Sequence, residues 1–211
     1  MYPSSLVIIC KKKEQFMEAL QAIFTRRSTR KMKADLPPKE LIEQIIEAGR
    51  CAPSGGNSQS THFMVITDKK ALNDLANIAC KAFAAMEITE STYSSLRNSI
   101  NAAKTGNYVF YYHAPVLIVT ANKKGYGNAI ADSACALENM MIAANELDLG
   151  SCWINQLHWL DEEPGIRAYL ESLGLAKDET ITGGLILGYG IDGLPIRTKK
   201  EVTGNPVTWI E

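Results

Sequence analysis

Residues 51–60 read CAPSGGNSQS, and the stretch falls where an amphipathic helix hands over to a short apolar strand. Upstream, Leu41, Ile42, Ile45 and Ile46 recur at helical spacing, with Pro37 and Pro38 fixing the helix entry. Downstream, HFMVIT (62–67) is short, apolar and rich in strand formers. Gly55 and Gly56 permit positive φ and let a flat group approach the backbone, while Asn57 and Gln59 each offer a donor and an acceptor. An ordinary helix-to-strand loop accounts for the glycines. A planar heterocycle with amide-like edges accounts for the amides as well.

Two further runs, PVLIVTA (115–121) and TITGGLILG (180–188), read as buried strands. Helical stretches separate them at 68–83, 128–147 and 161–174, and Phe16, Leu20, Ile23 and Phe24 mark a helix near the start. The alternation predicts an α/β layered arrangement of helices on a sheet. Residues 84–108 carry weak apolar periodicity and many polar side chains, as a lid or helical excursion would. In 128–147 the small residues Ala129, Ala131, Ser133, Ala134, Cys135 and Ala136 accompany a stripe of Ile130, Leu137, Met141 and Ala144. Such a helix is buried, in a core or in a dimer interface. No linker divides the chain, so 16–211 reads as a single domain, with 1–15 an N-terminal extension of unknown role.

Composition narrows the function classes. The 211 residues are 46% hydrophobic, and 22 Lys and Arg stand against 23 Asp and Glu, which gives no electrostatic case for nucleic acid or an anionic membrane. LVIIC (6–10) is too short for a membrane span. The five cysteines lack ligand spacing and read as reduced thiols in a cytoplasmic protein without structural zinc. His62, His113 and His158 are scattered, and no P-loop, GxSxG or HExxH motif occurs. GYGIDG (188–193) matches GxGxxG, but Pro195 follows where a helix should open, so the glycines serve a turn.

Two basic clusters remain. TRRSTRK brings Arg26, Arg27, Ser28 and Arg30 to a helix end, and PIRTKKE carries Arg197, Lys199 and Lys200. Each is either solvated surface charge or part of a phosphate site, since arginine binds phosphate bidentately and serine adds a donor. Whether the clusters meet is left open by the sequence.

Taken in order, RRSTR (26–30), APSGGNSQ (52–59), HAPVLIVTA (113–121), LGSCWI (149–154) and ILGY (186–189) before a basic tail resemble the nitroreductase family of FMN-dependent oxidoreductases. The resemblance runs over almost everything from Met17 onward. It implies an α+β fold, with a central, mainly antiparallel sheet flanked by helices, and an interlocked homodimer carrying FMN at two interface sites. By the same resemblance, Arg26, Arg27, Ser28 and Arg30, together with Arg197 and Lys199, hold the FMN phosphate. Pro53, Ser54 and Gly55 lie along the flavin, Asn57 hydrogen-bonds its polar edge, and Gln59 is a further cofactor-binding residue. Ile154, Asn155 and Gln156 are the candidates for a backbone donor near flavin N5, the reacting centre, and no side chain is assigned a catalytic role. The implied reaction is a ping-pong hydride transfer from NADH or NADPH to a small-molecule acceptor such as a nitroarene or quinone. Two departures stand out: Ser60-Thr61 replaces Pro-Trp, and Asn155 replaces Gly. Rival readings are a reductive dehalogenase or flavin-fragmenting enzyme of the same fold, a non-catalytic FMN-binding protein, and a cofactor-free domain.

Overall fold

The computed structural model describes residues 19–211, so the expected extension at 1–15, Phe16 and Met17 lie outside the described residues. Among the described residues, four strands form the sheet: β1 (His62–Ile66), β2 (Val116–Lys123), β3 (Gly150–Ile154) and β4 (Glu179–Gly188). Their order is β1-β2-β4-β3, and every pairing is antiparallel. The expected alternation of helix and strand is present, but it builds an antiparallel sheet instead of parallel crossover units. This is the α+β arrangement that the resemblance implied.

The two central strands are buried on both faces, which is why they read as continuous apolar runs. A pleated strand sends successive side chains to opposite faces. Leu117 and Val119 of β2 and Ile186 of β4 accordingly enter one core, with Phe83, Leu75, Ile100 and Ile166. Val116 and Ile118, with Leu185 and Leu187, enter the other, with Ile45, Leu137 and Met140. The first core is covered by α3 (Lys69–Ala85), α4 (Ser94–Lys104), α6 (Gln156–Trp159) and α7 (Pro164–Ser172). The second lies under α2 (Lys39–Arg50) and α5 (Ala129–Glu146). A short α1 (Ala19–Thr25) packs on α5. The edge strand β1 shows the half-buried pattern instead: Met64 and Ile66 are buried while Val65 is 42% exposed.

One strand was not foreseen in the sequence, and one expectation needs correction. Residues 150–154 form β3 although Gly150, Ser151 and Cys152 have little strand character of their own; the pairing from Gly150↔Gly188 to Ile154↔Gly184 imposes the conformation. On α5, Leu137, Met141 and Ala144 are buried as expected, but Ile130 is 57% exposed and does not share their stripe. Ile130, Ala131 and Cys135 form an uncovered outer face, so core burial accounts for only half of this helix.

The polar stretch 84–108 contains α4, a helical excursion packed on α3 and α6. Arg97 closes the approach to it by donating to the carbonyls of Thr89 and Glu90 at 3.1 and 3.4 Å. GYGIDG is a turn, with Gly193 at φ +96, from which an exposed tail runs to Glu211.

Leu137 is fully buried where α5 meets the sheet. Leu137→Ala should cost about 2–5 kcal/mol of stability, read as a lower urea midpoint at fixed protein concentration; an unchanged midpoint would remove Leu137 from the core.

Candidate functional site

After α1 the chain runs extended across the ends of β3 and β4. Thr29 N–H donates to the Ser151 carbonyl at 2.8 Å, and Lys33 N–H donates to the Tyr189 carbonyl at 2.8 Å. Extended backbone sends alternate side chains to opposite sides. Arg26, Ser28 and Arg30 therefore share a side, and all three act on the thiol of Cys152: burial pushes that thiol up, while Arg30, Ser28 and Arg26 oppose the rise. Two guanidinium groups and a hydroxyl so gathered suit an anion. Arg26 Nε sits 3.4 Å from Glu138, whereas Arg30 has no ion pair or hydrogen bond with a described residue.

Arg27 points the other way. Its guanidinium donates to the carbonyls of Thr25 at 2.9 Å and Arg26 at 3.0 Å, and to the Thr198 carbonyl at 3.0 Å. It thus satisfies the orphan carbonyls at the end of α1 and ties down the tail. Arg197 does similar work at the end of α5, donating to the Asn145 carbonyl at 2.6 Å and pairing with Asp148. Lys199 lies over the Phe24 ring, 4.6 Å from its centroid. The two basic clusters do meet, around the end of α1. Arg27 and Arg197 are engaged there as structural ties, whereas Arg26 faces Glu138, Lys199 sits on Phe24 and Arg30 has no described partner. A small cavity of about 130 Å³ opens between Arg26, Thr29, Ser151 and the 190–196 turn.

A larger cavity of about 410 Å³ lies between α4 and the turn after β3. It brings Arg30 together with Ile154, Asn155 and Gln156, and adds Asn98, Ser99 and Tyr108, which the sequence reading missed. The Gln156 amide donates to the Tyr108 hydroxyl at 3.2 Å, and that hydroxyl lies 2.9 Å from Ser99 Oγ. Burial pushes the Tyr108 hydroxyl up, with the bonds to Ser99 and Gln156 opposing. Tyr108 is therefore neutral at physiological pH. The Asn155 side chain, one of the two departures noted in the sequence, accepts from the Trp153 indole at 2.6 Å. The missed helix face carries Ser95, Asn98, Ser99 and Ala102 at helical spacing. That spacing was its one signal in the sequence.

The 51–60 loop sits elsewhere, on the first turn of α5. Gly55 N–H donates to Asp132 Oδ1 at 3.0 Å, and the Tyr126 hydroxyl donates to the Gly55 carbonyl at 3.1 Å. Gly56 takes positive φ (+58), as do Asn57 (54) and Gln59 (49). Gly55 does not; it is needed for closeness, since a Cβ there would lie 2.2 Å from Asn128 Nδ2 and 2.6 Å from the Tyr126 hydroxyl. Left-handed conformations at Asn57 and Gln59 carry strain of the kind stored at functional loops. The Gln59 amide donates to Asn57 Oδ1 at 3.0 Å. Pro53, Ser54, Asn57 and Gln59 line a cavity of about 400 Å³. It shares no lining residue with the Arg30 cavity, so one chain does not bring the loop and the Ile154–Gln156 turn together.

The histidines serve structure at two positions: His62 Nδ1 is 2.9 Å from Glu179, and His158 Nδ1 is 2.7 Å from the Ile181 carbonyl. Among the described residues, no helix is long and apolar enough to cross a membrane.

The family model described as "Nitroreductase family" matches residues 23–189. A crystal structure of a nitroreductase with bound FMN from Bacteroides fragilis is 35% identical, with TM-score 0.80, covering 92% of this chain and all of that one. The FMN-dependent nitroreductase NfnB from Mycobacterium smegmatis, solved with NADPH, shares the fold at TM-score 0.65 and 20% identity, covering 82% of this chain and 88% of that one. A nitrobenzene nitroreductase from Ectopseudomonas oleovorans is 24% identical over 186 residues, 74% of this chain and 79% of that one.

Arg26→Ala combined with Arg30→Ala should weaken FMN binding by roughly a hundredfold or more, two charge-assisted hydrogen bonds being removed. Equilibrium dialysis against FMN checks this, and unchanged affinity would reject the anion assignment.

Proposed function

The chain belongs to the nitroreductase family, and on that premise we propose that it is an FMN-dependent oxidoreductase using NADH or NADPH to reduce nitroaromatics, quinones or similar small acceptors. The observation that carries this reading is the Arg30 cavity. Its volume of about 410 Å³ lies within the range of roughly 300–1,000 Å³ usual for small-ligand sites. Arg30, which has no ion pair or hydrogen bond with a described residue, borders it, and the turn into α6 offers backbone donors.

These residues fit FMN. Arg26, Ser28 and Lys199 would hold its phosphate. Arg30, which reaches the larger cavity, would face the polar edge of the ring system and favour negative charge there. Ile154, Asn155 and Gln156 would present backbone to the ring, held by the Trp153–Asn155 and Tyr108–Gln156 bonds. When bound, FMN would supply the redox chemistry that links a nicotinamide reductant to the acceptor. The work of the chain is to hold, orient and shield.

The partner in this reading is a second copy of the chain. Pro53, Ser54, Asn57 and Gln59 stand apart from the Arg30 cavity, so a two-fold copy is what would bring one chain's loop to the other's cavity. The surface has the apolar area for it: Ile130 on α5 is 57% exposed, and in the tail Leu194, Trp209 and Ile210 are 75, 82 and 96% exposed. Exposed apolar side chains of this kind support a docking partner in this reading. The described cysteines, Cys51, Cys80, Cys135 and Cys152, are free thiols, which suits a reducing compartment such as the cytoplasm.

The test is the visible spectrum of the purified protein under anaerobic conditions. A flavin band that bleaches with NADH or NADPH and returns on adding a nitroarene or quinone supports the proposal; a band that neither reductant bleaches sinks it. Cys135→Arg, on the exposed face of α5, should yield a monomer by sedimentation that also loses FMN. A dimer with full FMN content, or a monomer retaining FMN, would overturn the shared site.

A further inference from the structure

Beside the Arg30 cavity lies a second, more open depression of about 510 Å³. The two share Arg30, Ala102, Tyr108 and Tyr112 in their walls, so they meet along that boundary. Beyond it the open groove adds Lys31, Asn107 and His113, and none of its described lining residues is acidic. Lys31, Asn107 and His113 are all exposed, and Lys31 has no ion pair with a described residue. In a chain whose net charge is −1, a concavity lined by cationic and neutral groups alone is a local feature in search of an anion.

The backbone is held so as to present these groups. Tyr112 and His113 both adopt positive φ, 54 and 56, which bulky residues rarely do and which costs free energy. The neighbouring Tyr111 is buried and anchored by its hydroxyl donating to Asn73 Oδ1 at 2.8 Å. The turn closes with Tyr112 N–H on the Val109 carbonyl at 3.1 Å and Ala114 N–H on the Tyr111 carbonyl at 3.0 Å. The outcome is that Tyr111 packs inward while Tyr112 and His113 line the groove. An aromatic ring and an imidazole beside a lysine and an amide suit a ligand that carries both phosphate and a flat base.

We propose that this groove is the docking site for the phosphate-bearing adenylate half of the reduced nicotinamide dinucleotide. Lys31, Asn107 and His113 take its phosphates, and the nicotinamide end reaches across the shared wall toward the Arg30 cavity. The inference rests on the oxidoreductase reading above. The Arg30 cavity has room for a ring system and not for a whole dinucleotide beside it, so the remainder must lie outside, and the one wall the two depressions share leads to the basic groove.

The experiment compares NADPH and NADH with reduced nicotinamide mononucleotide, which lacks the adenylate, as reductants of the FMN-loaded protein. Lys31→Glu with Asn107→Asp should raise the KM for both dinucleotides about tenfold or more, with kcat at saturation, FMN content and the KM for the mononucleotide unchanged. In the wild type, added potassium chloride should raise the KM for NADPH much more than that for the mononucleotide. The salt series keeps the test decisive if the double variant does not fold. Equal changes for dinucleotide and mononucleotide, or no change for either, overturn the groove and leave the oxidoreductase reading standing. A bound flavin that none of the three reductants bleaches overturns both.

Discussion

The candidate site hangs from the pairing of β3 with β4. That ladder runs from Gly150↔Gly188 to Ile154↔Gly184, and both of its ends are used. At the first end the basic segment crosses in close contact: a Cβ on Gly150 would lie 2.7 Å from the Thr29 side chain, and one on Gly188 would lie 2.8 Å from Pro115 and 3.2 Å from Met32. At the other end Ile154 delivers the chain into the turn at Asn155 and Gln156. The ladder therefore sets the distance between the basic side chains and the backbone that faces the larger cavity. It spans five residues, or roughly 13–17 Å at the usual strand rise. A phosphate joined to a ring system by a flexible chain is suited to such a span.

The charges around this ladder divide by a rule that the chain total conceals. Arg27 and Arg197 neutralise helix C-terminal carbonyls, at α1 and α5 respectively, where the macrodipole favours a cation. They are alike in composition to Arg26 and Arg30, yet they have become part of the scaffold. The division follows from the two-residue alternation of an extended segment, which sends Arg27 back to α1 and Arg26 and Arg30 toward Cys152.

That division explains what could and could not be read beforehand. β2 and β4 were legible because burial on both faces demands unbroken apolar runs, and the basic motifs were legible as clusters. The sorting of Arg27 from its neighbours was not, since it depends on Thr29 pairing with Ser151 more than a hundred positions away. β3 was hidden because Gly150, Ser151 and Cys152 carry little strand preference, and the partner strand supplies the order. The contribution of α4 was hidden for another reason: Ser95, Asn98 and Ser99 make a polar face toward a cavity, and periodicity of apolar residues cannot report it. The loop at 51–60 was noticed for its glycines, but Gly55 answers to the packing of Asn128 and Tyr126, a contact between segments distant in the chain.

α5 joins the remaining pieces. One of its faces completes the core through Leu137, Met140 and Ala144, while its first turn holds the 51–60 loop through Asp132, with Tyr126 bonded to both. Asp132 is 6% exposed, so the loop's anchor is part of the buried structure and cannot shift without disturbing the helix. The outer face of the same helix carries Ile130 and Cys135 in the open. The copy that covers that face in the proposed dimer would also bear on where the strained residues Asn57 and Gln59 point. In the proposed dimer, association and cofactor binding become linked equilibria, because each adds contacts that the other needs. A chain of this kind has no reason to hold its loop and its Arg30 cavity together within one copy: the rigid helix that carries the loop also carries the face by which it would reach the other copy's cavity.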